Sequence, residues 1–236
     1  MVHWLYYIAV DWQYWYNAIM YFGSRAEAGV KLANELLPLY RYKNTVVVAL
    51  SESGVAVGYQ IAVNLHAALR RLLMTTVHID DESIDYATIM PGGVVAINPN
   101  LSESEQSYYY GEYAGWLEEQ IRQGILEIDR EMESDEISPE NLRGYNVILT
   151  DDGIDNPTKL EAAMTWLKPA RVDKVILACP IISVPALDKA HILCDELHIL
   201  GVAANYLATD HYYEQDDQPD ADTARRMIDA TINNWK

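Results

Sequence analysis

Positive charge is scarce in this sequence: 17 Lys and Arg stand against 35 Asp and Glu, a net charge of −18 over 236 residues. Such a surface repels nucleic acid and acidic membranes and argues against either as the principal partner. Cysteine is nearly absent. Cys179 and Cys194 are too few for a disulfide scaffold and form no metal motif, which points to reduced thiols in a cytoplasmic protein; the first is expected at a strand end, the second at a helix end. His191, His198 and His211 lack metal-ligand spacing, and His66 falls in a helical run where packing is its ordinary role. Lys and Arg are missing from positions 1 to 22, so a signal peptide with a basic start is not expected there. Asp11, Gln13 and Asn17 also interrupt that stretch too centrally for a membrane span. Neither repeats nor low-complexity tracts occur.

Half of the residues are hydrophobic, enough for a sizeable core, and the length suits one large α/β domain. Residues 1–22 read as an aromatic N-terminal arm rich in Trp and Tyr, side chains that join an apolar body to a polar tip. The arm covers the core, an oligomer interface or a ligand pocket, and the residues do not choose among the three. Residues 23–236 form the domain proper. In 24–39, Ala28, Leu32, Leu36 and Leu39 recur at helical spacing with Arg25, Glu27, Lys31 and Glu35 between them, behind a Ser24 cap. Thr45 to Leu50 reads as a buried strand, 55–69 as a helix, and Leu73 to Ile79 as a second strand leading into acidic residues 80–85. Pro91-Gly92-Gly93 turns the chain into a strand at 94–97. Residues 103–132 make a long polar helical region, interrupted near Gly111, Gly115 or Gly124, and together with 134–139 are the candidate hood or insertion. Strands at 175–178 and 197–200 alternate with helices at 157–167 and 185–193, and a final helix opens at Asp220 or Asp222.

The stretch from Tyr145 to Leu160, YNVILTDDGIDNPTKL, concentrates the chemistry. Val147 to Leu149 suits a strand buried on both faces, and Asp151 and Asp152 fall at its C-terminal edge, where open α/β sheets bind ligands. Asn156 and Pro157 read as an N-cap and first helical position, which aims backbone N–H groups at the acids. Asp155, Thr158 and Lys159 add a carboxylate, a hydroxyl and an ammonium beside a helix N-terminus that favours anions. A ribose, a phosphate or a metal suits such a place; the alternative is that both acids only cap the turn.

VILTDDGIDNPTKLEAA resembles the phosphoribosyl-pyrophosphate-binding signature of the type I phosphoribosyltransferases. The similarity extends through VVVALSESGVAVG, PGGVVAIN and DELHIL…NYLATDHYYEQ, covering most of residues 22–236 and matching the bacterial stand-alone members. It implies a Rossmann-like, mostly parallel sheet with helices on both faces. It also implies that Asp151 and Asp152 hold the ribose hydroxyls directly or through Mg²⁺, that Asp155 lies near the base, and that all three serve catalysis. By the same resemblance Gly153, Ile154, Asn156, Thr158 and Lys159 bind the ligand's 5-phosphate end, and Ser51, Ser53 and Gly54 form the pyrophosphate turn. The implied partner is a nucleotide or another phosphorylated ribose, bound by a homo-oligomer.

The sequence departs from the family pattern at three anion contacts. The loop's Thr-Gly is replaced by Asn156-Pro157, which deletes one N–H donor and a glycine. Glu52 stands in the pyrophosphate turn. The basic pair after the second strand is replaced by His78 and Ile79 ahead of Asp80, Asp81 and Glu82. These departures favour a protein that binds a ribose-5-phosphate-type ligand without catalysis; the other reading is an active Mg²⁺-dependent phosphoribosyltransferase acting on a nucleobase.

Overall fold

A computed structural model describes residues 21–79, 84–132 and 138–233. The arm up to residue 20, the acidic residues 80–83 and residues 133–137 of the expected hood lie outside it. Helix α1 (Arg25–Tyr40) opens on Ser24, whose Oγ accepts the Glu27 amide at 3.1 Å. Strand β1 (Thr45–Ala49) and helix α2 (Glu52–Leu65) follow, then β2 (Ala68–Arg71), β3 (Thr75–Ile79), β4 (Ile84–Met90) and β5 (Val94–Ile97). Helix α3 (Glu103–Glu131) leads to β6 (Asn146–Thr150), α4 (Thr158–Leu167), β7 (Lys174–Ser183), α5 (Val184–Leu193), β8 (Glu196–Ala203) and α6 (Ala221–Asn233). No helix among the described residues is long and apolar enough to cross a membrane.

Five strands form a wholly parallel sheet in the order β2-β1-β6-β7-β8. Every residue of β1 and β6 is buried, as expected for strands covered on both faces. Val47, Ile148 and Ile176 pack toward α1, α2 and α6. Their alternates Val46, Val48, Val147, Leu149 and Leu177 pack with Leu160, Ala163 and Trp166 of α4 and Ala186, Leu187 and Ala190 of α5. Period-two alternation thus feeds one core on each face. The chain runs from β1 to one neighbour, β2, and later returns to the other, β6, so strand order reverses between β1 and β6. That reversal opens a crevice beyond their C-terminal ends.

The expected hood takes a different form. β3, β4 and β5 pair antiparallel as a separate three-stranded sheet, and Leu117 and Ile128 of α3 pack on its Val77, Ala87 and Ile89. Helix α3 departs from helical geometry at Tyr113 (φ −120°, ψ 16°), between Gly111 and Gly115, where an interruption was expected.

Three assignments need correction. The second strand of the parallel sheet is Ala68–Arg71, so it ends on Arg70-Arg71; His78 belongs to the other sheet. The expected helix to residue 69 stops at Leu65, because His66 takes a left-handed conformation (φ 61°) and closes it. Strand β7 runs through Cys179-Pro180 to Ser183 rather than ending at Ala178, which puts Cys179 inside a strand and fully buried. Pro180 is tolerated because β6 pairs with β7 only as far as Ala178.

Candidate functional site

The crevice brings together the turn after β1 and the loop after β6. Ser51 caps α2 by accepting the Gly54 amide at 2.9 Å, and its hydroxyl donates to Asp151 Oδ1. A β-carbon on Gly54 would lie 2.8 Å from that same oxygen, so only glycine lets the turn close on the acid. Asp151 Oδ1 also accepts the Asp152 amide at 3.0 Å. Asp151 Oδ2, by contrast, is buried and has no hydrogen-bond donor; Lys159 Nζ stands 3.5 Å away. Attraction to Asp151 raises the Lys159 pKa above its ordinary range.

Asp152 is 6% exposed. Burial, then the neighbouring Asp151 charge, lift its pKa to about 7 against the pull of Arg25. Arg25 is the residue that sequence reasoning missed. It was expected on a polar helix face, yet it is fully buried and donates from Nε to Asp152 Oδ2 at 2.8 Å. Its Nη2 pairs with Asp210, its Nη1 reaches Asp217 Oδ1 at 3.4 Å, and its guanidinium lies 4.5 Å from the Tyr213 ring centroid. Burial works against the Arg25 charge, and Asp152 and Asp210 outweigh it, so its pKa is raised. The signal was present: Arg25 is in helical phase with Ala28, Leu32 and Leu36, the buried stripe of α1.

A strap of residues 204–218 crosses this loop. Tyr213 donates to the Asp152 carbonyl at 2.5 Å, and Phe22 pairs with the strap through its amide to Tyr212 O and its carbonyl from Glu214 N, both 2.9 Å. Tyr206 and Thr209, joined at 2.9 Å, lie against Gly153. Burial raises the pKa of both Tyr206 and Tyr213.

The remaining expected residues are placed as follows. Ile154 is buried and its backbone extends the sheet, its amide donating to Ile181 O at 3.0 Å and its carbonyl accepting from Ser183 at 2.8 Å. It therefore has no backbone donor to offer a phosphate. Asp155 is exposed and accepts the Asn156 amide at 2.8 Å; Asn156 Oδ1 accepts the Thr158 amide at 3.1 Å, which makes Asn156 the working cap of α4. With Pro157 lacking an N–H, these amides are already satisfied locally. Ser53 reaches Gln218 Oε1 at 3.3 Å. Glu52 pairs with Arg71, whose Nη2 also lies 3.6 Å from Glu131. Arg70 and Arg71 thus end the strand that pairs with β1, and Arg71 is already engaged. Among the described residues no group of three or more His, Cys, Asp or Glu is arranged as a metal cage.

No family model matches the chain. Two Mycobacterium tuberculosis proteins, of strains CDC 1551 / Oshkosh and H37Rv, are each 25% identical to it over 211 residues. Both carry the name "Putative phosphoribosyl transferase". The chain is phosphoribosyltransferase-like. The match takes in 88% of this chain but 46% of each relative, so the chain spans less than half their length. The crystal structure of TT1426 from Thermus thermophilus shares the fold, with a TM-score of 0.66 at 23% identity, covering 89% of this chain and 99% of that one.

Proposed function

We propose that the chain binds a ribose-5-phosphate-type ligand, a nucleotide or phosphoribosyl pyrophosphate, between the Ser51–Gly54 turn and the Asp151–Lys159 loop, without efficient transfer chemistry. One observation carries the reading: Asp151 Oδ2 is a buried carboxylate oxygen with no donor at the ligand edge of the sheet. The 3.5 Å ion pair with Lys159 leaves its hydrogen-bonding capacity unfilled, and a ribose hydroxyl is the kind of donor it lacks. Lys159, paired with it at 3.5 Å, supplies a cation for a phosphate. The absence of efficient transfer follows from spent donors. The Ser51 hydroxyl is committed to Asp151, and the amides of Asn156 and Thr158 are held by Asp155 and Asn156.

Magnesium fits this donor set only in part. Mg²⁺ takes one or two carboxylates and completes its shell with water and ligand phosphates. Asp151, through Oδ2, is the residue that would hold it, whereas Asp152 Oδ2 is already occupied by Arg25 Nε. Bound there, the ion would neutralise phosphate charge.

The pairing of Glu52 with Arg71 favours a second reading, an active transferase, because it cancels the charge that would repel pyrophosphate. Titration calorimetry separates the two. With Mg²⁺ present, a 5′-nucleotide and phosphoribosyl pyrophosphate are each titrated into the full chain, and pyrophosphate release is followed with a panel of nucleobases. Binding without release is expected. Release with any base establishes the transferase, and binding of neither ligand removes both readings.

A further inference from the structure

Resting on that binding reading, we propose that Arg25 is a positioning residue for the ribose site, tying Asp152 to the strap of residues 204–218 so that the acid pair is held only while the strap is docked. One buried guanidinium joins three stretches of chain far apart in sequence: the start of α1, the loop after β6 and the strap. Each of its nitrogens has a different carboxylate, Nε to Asp152, Nη2 to Asp210 and Nη1 to Asp217. The strap acids also hold the backbone beneath it, since Asp217 accepts the amides of Arg25 and Ala26 at 3.1 and 3.3 Å. Tyr213 closes the arrangement twice, with its ring against the guanidinium and its hydroxyl on the Asp152 carbonyl.

The connection continues to the other wall of the crevice. Gln218 donates to Asp210 at 2.7 Å and accepts from Ser53 at 3.3 Å, so strap, guanidinium, acid loop and pyrophosphate turn are linked in sequence. A planar fork can serve three carboxylates at fixed angles, and an ammonium cannot. Arg25 is itself fully buried and touches no open space, so it acts on a ligand through Asp152 rather than by contact.

The test compares ribose 5-phosphate with 2-deoxyribose 5-phosphate by calorimetry on the full chain. A hydroxyl donating to a carboxylate contributes about tenfold in affinity, so the wild type is expected to prefer the ribose by about that factor. Arg25→Met is expected to bring the preference close to one while phosphate-dependent binding persists, and Arg25→Lys to recover only part of it. A folded Arg25→Met that keeps the wild-type preference overturns the inference and leaves the binding reading standing. A wild type that binds neither sugar overturns the binding reading and the inference with it. Should Arg25→Met fail to fold, Asp210→Asn serves, because that carboxylate is 66% exposed. It is expected to lower the preference, and an unchanged preference overturns the inference.

Discussion

Gly153 packs directly beneath the hydroxyl of Tyr206: a β-carbon at position 153 would fall on Tyr206 Oη and 2.7 Å from Thr209 Cγ2. The glycine is needed for the room it leaves the strap. Gly153→Ala is expected to cost about 1–3 kcal/mol in urea denaturation, the range for overpacking a close contact. Adding Tyr206→Phe removes the nearest atom, so the double variant should be more stable than the sum of the two single changes predicts. Strict additivity would mean that the strap does not rest on Gly153.

Asp152 gives a pH dependence with a defined sign. Burial and the Asp151 charge raise its pKa from 3.8 to about 7 in the fold. Between those values the folded chain holds a proton that the unfolded chain has released. Stability therefore falls as pH rises through that window, by up to about 1.4 kcal/mol per pH unit for this one group. Asp152→Asn cannot ionise and keeps an oxygen for Arg25, so its stability curve should be flatter from pH 4 to 7. Urea midpoints at several pH values check it, and a wild-type curve that rises across the window, with the variant parallel to it, contradicts it.

What could be read in the sequence and what could not divide along periodicity. The β1 and β6 runs, the acid pair at a strand end and the caps at Ser24 and Asn156 are local patterns, and each kept its place on folding. Strand β2 is hidden because Ala68 and Leu69 continue the helical spacing of Ala62 and Leu65, so the residues before Arg70 read as the end of α2. The charge of Arg25 suggests a solvent face, whereas its phase with Ala28 and Leu32 sets it on the buried stripe of α1. The strap has no periodicity to detect. Asp210, Tyr213 and Asp217 reach the site through tertiary contacts with residues some sixty to two hundred positions away, as the Tyr213–Asp152 separation of 61 and the Arg25–Asp217 separation of 192 illustrate.

Thr231 of α6 caps the edge of the parallel sheet. Its hydroxyl accepts the Leu69 amide at 3.1 Å and donates to Ile228 O at 2.7 Å, and the residue is fully buried. β2 is an edge strand, and α6 covers a donor that would otherwise be left unpaired. Thr231→Val keeps the shape and strands that amide, at an expected cost of about 1–3 kcal/mol. Hydrogen exchange at Leu69 should accelerate in the variant more than at Val47 in the neighbouring strand; equal acceleration would place the effect on global stability instead.

Asp155 offers the sharpest test of the phosphate end proposed for the loop. Its carboxylate holds both the amide and the side-chain nitrogen of Asn156, at 2.8 and 2.9 Å, at the mouth of α4. It therefore opposes an incoming phosphate twice, by its charge and by occupying a donor the phosphate needs. Asp155→Ala is expected to strengthen binding of ribose 5-phosphate several-fold, since a single charge-assisted hydrogen bond is worth roughly 1.5–3 kcal/mol before the cost of ordering the loop. Pro157→Gly restores a further N–H but also frees the backbone, so its gain should be smaller alone and should appear mainly in the double variant. If Asp155 instead assists a base, as the family resemblance implies, Asp155→Ala leaves ribose 5-phosphate binding unchanged and weakens a 5′-nucleotide. Calorimetry with the two ligands distinguishes these outcomes.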